Sequence, residues 1–204
     1  MKFSQSRHIH TITVVAVMSA LSTVLMYLQF GVPFAPSFLK FDFSELPALM
    51  TAYAISPLAG AAVSLLKNVL HLFGTTTGGV GELSNFLLSA SFVASAGLIY
   101  HKAKTRKGAL LGAAVGALVS MLVSFPVNYF ITYPVYFVIF APKDAIIGAY
   151  HALIPFIDSL PKALIVVNMP LTALKGVACT AIAFLIYKPL SPILKGKSTK
   201  KSEK

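Results

Sequence analysis

Between Thr11 and Phe30 the chain places twenty consecutive residues without one charged side chain. At a rise of about 1.5 Å per residue, a helix of that length is about 30 Å long, which matches the hydrocarbon core of a bilayer. Further apolar stretches follow at Glu45–Ser56, Leu58–Phe73, Glu82–Tyr100, from Gly108 onward and Lys162–Tyr187. The second and third are short for lipid-bathed spans and read as a pair packed inside a bundle. The pattern predicts an all-α integral membrane protein, a bundle of six transmembrane helices. Residues 11–190 would form the membrane domain, between an N-terminal segment (1–10) and a basic tail (191–204).

Composition agrees. Charged residues make up 11% of the 204 and the mean hydropathy is +0.79. A water-soluble domain carries about 25% charged residues, and the length leaves no room for a separate soluble catalytic module. Residues 11–28 exceed a usual signal-peptide core and precede no small-x-small cleavage site, so the first helix reads as retained.

Net charge of +11 invites a nucleic-acid partner, but its distribution argues against one. Two of the 17 Lys and Arg lie in residues 1–10, four in 101–107 and six from Lys188 to the end. With six spans, these clusters share one side of the membrane. The opposite loops, 31–44, 74–81 and 141–161, hold Lys40 and Lys143, with Lys162 at the border. The positive-inside rule then places both termini in the cytoplasm. The tail beyond Ser198 reads as disordered.

Local signals refine the picture. Ser44 is a candidate N-cap for the helix from Glu45, and Pro57 suits the first turn of the next. HKAKTRK (101–107) reads as a polar turn. Pro126 or Pro134 should bend or stop the fifth helix. Residues 141–161 form a proline-punctuated linker with a candidate surface helix.

Catalytic signatures are missing. The sequence has no GxxxxGK[ST] phosphate loop, HExxH, GxSxG or CxxC, so any ATP-derived energy comes from another chain. His8 and His10 read as a solvated tail, and the lone Cys179 can make no internal disulfide. Polar side chains on apolar helices carry the information instead, because they are costly in a bilayer. They comprise Lys40 and Asp42; Lys67, Asn68 and His71; Glu82, Asn85 and Ser89 on one helical face; Asn128; and Asn168, Thr172 and Lys175 on another. Each has a plainer reading: Glu82 as a helix N-terminal charge, Lys67 as a snorkelling chain, Asn68 as interhelical glue. Lys175, mid-span, requires a partner or a ligand. Small residues at Ala16 and Ala20, and at Gly112, Gly116 and Ser120, allow close helix approach, either within the bundle or to a second protein.

The stretches FLKFDFSELPAL (38–49), SPLAGAAVSLLKNVLH (56–71), GVGELSNFLLS (79–89), NYFITYPVY (128–136) and PLTALKG (170–176), in that order, resemble the riboflavin-binding S-components of energy-coupling factor (ECF) vitamin transporters. The resemblance spans about residues 11–190. It implies a six-helix protein of the bacterial plasma membrane that captures riboflavin from outside and topples in the membrane to release it. Its partners would be a transmembrane coupling subunit and two cytoplasmic ATPases, with riboflavin as cargo and no cofactor. By position, Leu39, Lys40 and Asp42 fall in a gating loop. Gly81, Glu82 and Asn85 fall near the pocket, Asn128 and Lys175 at the flavin ring, and Ala16 and Ala20 on the coupling-subunit face. Thr172 stands where the family pattern has Asn, so that contact is lost, bridged by water or taken over by Asn168.

Chemistry fits these positions. An Asn amide pairs with the donor–acceptor edge of a flavin, and Lys175 can donate to a ring carbonyl. Phe41, Tyr129 and Tyr133 are candidates to cover the ring face, while Asp42, Glu82 and Asn85 are candidate partners for ribityl hydroxyls. An S-component for flavin mononucleotide or another vitamin, a membrane enzyme using Glu82, Lys175 or His71, and a ligand-free structural subunit are the competing readings.

Overall fold

The computed structural model describes residues 2–194 apart from Phe34 and Ser37, and side chains from His8 to Ile186. The end of the basic tail, from residue 195, lies outside the described residues. Helix α1 (Lys2–Tyr27) leads into a two-stranded antiparallel ribbon, β1 (Phe30–Gly31) and β2 (Lys40–Phe41), with Phe30 opposite Phe41 and Gly31 opposite Lys40. Helices α2 (Glu45–Ala54) and α3 (Pro57–His71) follow, then α4 (Val80–Ala103) and α5 (Arg106–Val127). A π turn (Asn128–Thr132) joins α5 to α6 (Tyr133–Ile139). Helix α7 (Lys143–Leu153) is the expected surface helix, and α8 (Leu160–Ala163) runs through a second π turn (Leu164–Asn168) into α9 (Met169–Leu194).

Among the described residues, five helical stretches are long and apolar enough to cross a membrane: His8–Tyr27, Pro57–Gly74, Val80–Ala103, Arg106–Ile139 and Leu160–Ile186. Helix α2 has ten residues, about 15 Å, too short to span alone. It is buried along nearly its whole length, the packed position expected from its length.

Prolines shape the two longest rods. Neither Pro126 nor Pro134 stops the fifth. Proline lacks an N–H and its ring crowds the carbonyl four residues earlier. The helix answers by widening one turn ahead of Pro134 and of Pro170: Tyr133 N–H bonds to Asn128 O and Met169 N–H to Leu164 O, each five residues back. Elsewhere, Ser56 caps α3, accepting from Ala59 N–H at 3.1 Å, with Pro57 in its first turn. The polar turn is tighter than 101–107. Helix α4 runs on to Ala103, Lys104 takes the left-handed conformation (φ 49°), and Thr105 caps α5 through Gly108 N–H at 2.9 Å.

The glycine stripe of α5 packs inside the protein. A Cβ at Gly112 would lie 2.6 Å from Ala96 O, and one at Gly116 would lie 2.6 Å from Phe92 O. Thus α4 and α5 touch backbone to backbone. Ala16 and Ala20, by contrast, are exposed on α1. Gly116→Val should lower stability by about 1–3 kcal/mol through overpacking, whereas Leu118→Val on the exposed face of the same helix should shift it by less than about 0.5 kcal/mol. Thermal unfolding in detergent would check the difference.

Candidate ligand-binding site

Four charged side chains meet inside the bundle. Lys67 on α3 donates to Glu45 Oε1 at 3.0 Å and to Ser44 Oγ at 2.6 Å. Lys175 on α9 donates to Asp42 Oδ2 at 3.0 Å and lies 3.3 Å from Glu45 Oε1. Ser89 on α4 donates to Glu45 Oε2 and shares a 2.7 Å hydrogen bond with Ser64 of α3. Lys67, Glu45 and Asp42 are 0%, 5% and 3% exposed. Two ammonium groups balance two carboxylates, so the cluster is neutral, as a buried one must be to offset desolvation.

The entrance to α2 is built around this cluster. Ser44 does not cap the helix: its backbone is helical and its side chain makes no capping bond. Its hydroxyl accepts from Lys67, while its N–H donates to Asp42 Oδ1 at 2.8 Å. A side-chain oxygen that looks like a cap is claimed by a stronger, charged donor. Ser22 of α1 donates to Ser44 O. Burial alone would raise the Asp42 carboxyl, but the Lys175 and Lys67 ammonium groups and the Ser44 hydrogen bonds hold it at about 2, below its ordinary 3.8.

Beside the cluster lies a cavity of about 60 Å³ lined by Glu45, Asn85, Leu88, Ser89, Phe92, Ser120, Thr172, Lys175 and Gly176. Gly176 lets α9 approach here, since a Cβ would lie 3.0 Å from that of Ala117. Drug-sized ligands occupy about 300–1,000 Å³, so in this conformation the cavity is too small to enclose one. A wider groove of about 520 Å³, lined by Tyr129, Phe130, Pro134, Phe137 and residues of α7 and 158–161, lies apart from it.

The fold brings Asn85, Ser89, Thr172 and Lys175 together on this cavity and links Asp42 to it through Lys175. The other sequence candidates sit elsewhere. Lys40 is exposed on β2, Phe41 packs against Phe30 and Phe43, and Leu39 packs against the cluster around Tyr133 and Tyr150. Glu82 accepts from Thr75 at 2.9 Å and Thr77 at 2.7 Å and faces His71 Nδ1 at 2.8 Å, and Gly81 N–H donates to Thr77. Asn128 donates to Ser124 O of its own helix. Asn168, the candidate to take over the contact of the missing Asn, is engaged by two tyrosines here. Tyr150 OH donates to its oxygen at 2.7 Å, and its amide donates to Tyr133 OH at 3.0 Å. Nor do Phe41, Tyr129 and Tyr133 cover the cavity; Phe92 supplies its aromatic wall. Glu45, Leu88 and Phe92 were not among the sequence candidates, and nothing in their spacing marks them; Ser120 was marked only as a small packing residue.

The family profile for the ECF transporter substrate-specific component matches residues 10–187. This chain belongs to that family. It is a family of transporter components, not of enzymes. Similar proteins include the riboflavin transporter RibU of Staphylococcus aureus (strain TCH60), 29% identical over 181 residues, 89% of this chain and 90% of that one. The riboflavin transporter FmnP of Bacillus subtilis (strain 168) is 29% identical over 186 residues, 89% and 92% of the two chains. RibU of Streptococcus thermophilus (strain ATCC BAA-250 / LMG 18311) is 30% identical over 186 residues, 88% and 82%. A solved S component of a bacterial ECF transporter superposes with a TM-score of 0.72 at 28% identity, covering 91% of this chain and 97% of that one.

Lys67→Met leaves the cluster one positive charge short and should cost about 3–5 kcal/mol, while Lys67→Met with Glu45→Gln, neutral again, should recover most of it in thermal unfolding. A carboxyl lowered from 3.8 to about 2 contributes stability that is complete above about pH 4 and lost as pH falls towards 2. A fluorophore at Lys40→Cys should therefore report a fixed ribbon from pH 7 to about 4 and loosening only below, and Asp42→Asn should loosen it throughout.

Proposed function

We propose that this chain is the riboflavin-binding S-component of an ECF transporter, capturing the vitamin from outside for uptake energised by a separate coupling subunit and two ATPases. The observation that carries this reading is the cavity where Lys175, Thr172 and Asn85 converge beside the Lys175–Asp42 ion pair, in a chain whose relatives are named riboflavin transporters. Lys175 has three N–H donors, one of them given to Asp42, with Glu45 Oε1 at 3.3 Å, which leaves a donor for a flavin carbonyl. The neutral cluster suits a neutral ligand. Phe92 offers an aromatic wall to a flat ring.

Because the cavity is small, entry requires the ribbon and its loop to swing away. The Lys175–Asp42 ion pair is the tether between that loop and α9, so loading and closing act on one contact. Leu39, Lys40 and Phe41 travel with the loop. Gly81 and Glu82 brace the neighbouring 74–81 turn, and Asn128 reaches the ligand from the π turn once the site widens. We assign α2 as the sixth transmembrane helix, spanning only as part of the bundle, and place both termini in the cytoplasm of a bacterial cell, where the basic clusters belong. The exposed Ala16–Ala20 face of α1 is assigned to the coupling subunit, with the bilayer elsewhere and no nucleic-acid partner.

Titration of riboflavin into purified protein should give saturable fluorescence quenching, stronger than with flavin mononucleotide and absent with thiamine; no quenching by either flavin would overturn the reading. Lys175→Met with Asp42→Asn, which keeps the cluster neutral, should weaken riboflavin about ten- to a hundredfold, the range for losing a charged hydrogen bond. Ala16→Leu with Ala20→Leu should preserve binding and abolish uptake in cells.

A further inference from the structure

A groove of about 520 Å³ separates α6 from α7 and the start of α8, a volume in the range of ligand sites. The span Arg106–Ile139 begins at the basic turn and ends at this groove, and the span Leu160–Ile186 starts there. The groove therefore lies where two spans leave the membrane, on the side away from the basic turn. Its walls differ in character. Phe130, Pro134 and Phe137 line it from the α5–α6 rod, whereas Lys143, Asp144 and Asp158 bring charge from α7 and the segment before α8. Lys143 and Asp144 are exposed, while Ile146 and Tyr150 of the same helix turn into the protein.

Apolar surface continues from the groove towards the bilayer core. Phe130 and Ile165 are both exposed. Phe130 comes seven residues before Phe137 on the outgoing span, and Ile165 five residues after Leu160 on the returning one. On the helical rise these positions are about 10 Å and about 8 Å deeper. An apolar concavity at the membrane boundary fills with lipid, because an empty one forfeits contacts along its whole lining.

The charges select the headgroup. Asp158 is answered by Lys162 at 2.5 Å. Lys143 and Asp144 make no ion pair or side-chain hydrogen bond among the described residues. One cation and one anion on neighbouring residues match a zwitterion. A purely anionic headgroup at Lys143 would lie beside the Asp144 carboxylate with nothing to offset the repulsion. A choline headgroup has no N–H to give that carboxylate, whereas a primary ammonium has three.

We propose that this groove binds one zwitterionic phospholipid whose headgroup carries a primary ammonium, as phosphatidylethanolamine does. Its phosphate pairs with Lys143, its ammonium with Asp144, and its acyl chains run past Phe130 and Ile165. The lipid fills the space between α6 and α7 and braces α7 next to the face anchored by Tyr150, whose hydroxyl donates to Asn168 at 2.7 Å. This inference does not rest on the riboflavin reading.

The test adds phosphatidylethanolamine, phosphatidylglycerol and phosphatidylcholine of identical acyl chains to the detergent-purified protein and counts bound lipid by native mass spectrometry. One phosphatidylethanolamine should bind about tenfold more tightly than either of the others, and it should raise the unfolding temperature. Lys143→Gln with Asp144→Asn should erase the preference. Ile147→Trp, which fills the groove, should remove the bound lipid and leave unfolding in lipid-free detergent within about 2 °C. Equal retention of the three lipids, or a double variant that keeps the preference, would overturn the proposal. So would displacement of the lipid by water-soluble glycerophosphoethanolamine at equal concentration, which would make the occupant a free solute.

Discussion

The buried meeting of Asp42, Glu45, Lys67 and Lys175 ties together parts of the chain that hydrophobic packing alone would leave loosely related. It joins the first loop and the start of α2 to α3 and, through Lys175, to α9. Apolar contacts between helices in a lipid setting provide little direction, because lipid is as apolar as the neighbouring helix. Charges and hydrogen bonds do provide it. Removing any one member strands its partner in a low-dielectric interior, so the four hold one arrangement or reorganise as a unit.

Small residues and prolines supply the geometry that lets those charges meet. Gly112 and Gly116 bring α5 against the α4 backbone, and Gly176 brings α9 close enough to α5 for Lys175 to reach the loop. The two π turns lie ahead of Pro134 and Pro170 and carry Asn128 and Asn168. In each, widening by one residue rotates everything beyond it relative to a regular helix. Asn168, at the end of the second π turn, is turned to the tyrosines, whereas Thr172 and Lys175 on the regular helix beyond it are turned to the cavity.

The sequence by itself determined the membrane character, the helical class, the hydrophobic first helix and the family, because these depend on span length, charge distribution and ordered motifs that no packing arrangement alters. It also singled out Lys175 and Asn85, since a polar group on an apolar helix is costly wherever the helix packs. What it could not determine was which polar groups meet. Lys175 and Asp42 are 133 positions apart, and the choice between Ser44 as a cap and Ser44 as an acceptor for Lys67 turns on a lysine 23 residues away. Glu82 and Asn85 share one face of α4 on paper, yet the 74–81 turn engages the first and the cavity receives the second. Only tertiary structure decides such cases, because hydrogen bonds act over about 3 Å and helix crossings, not sequence spacing, set which groups come within that range.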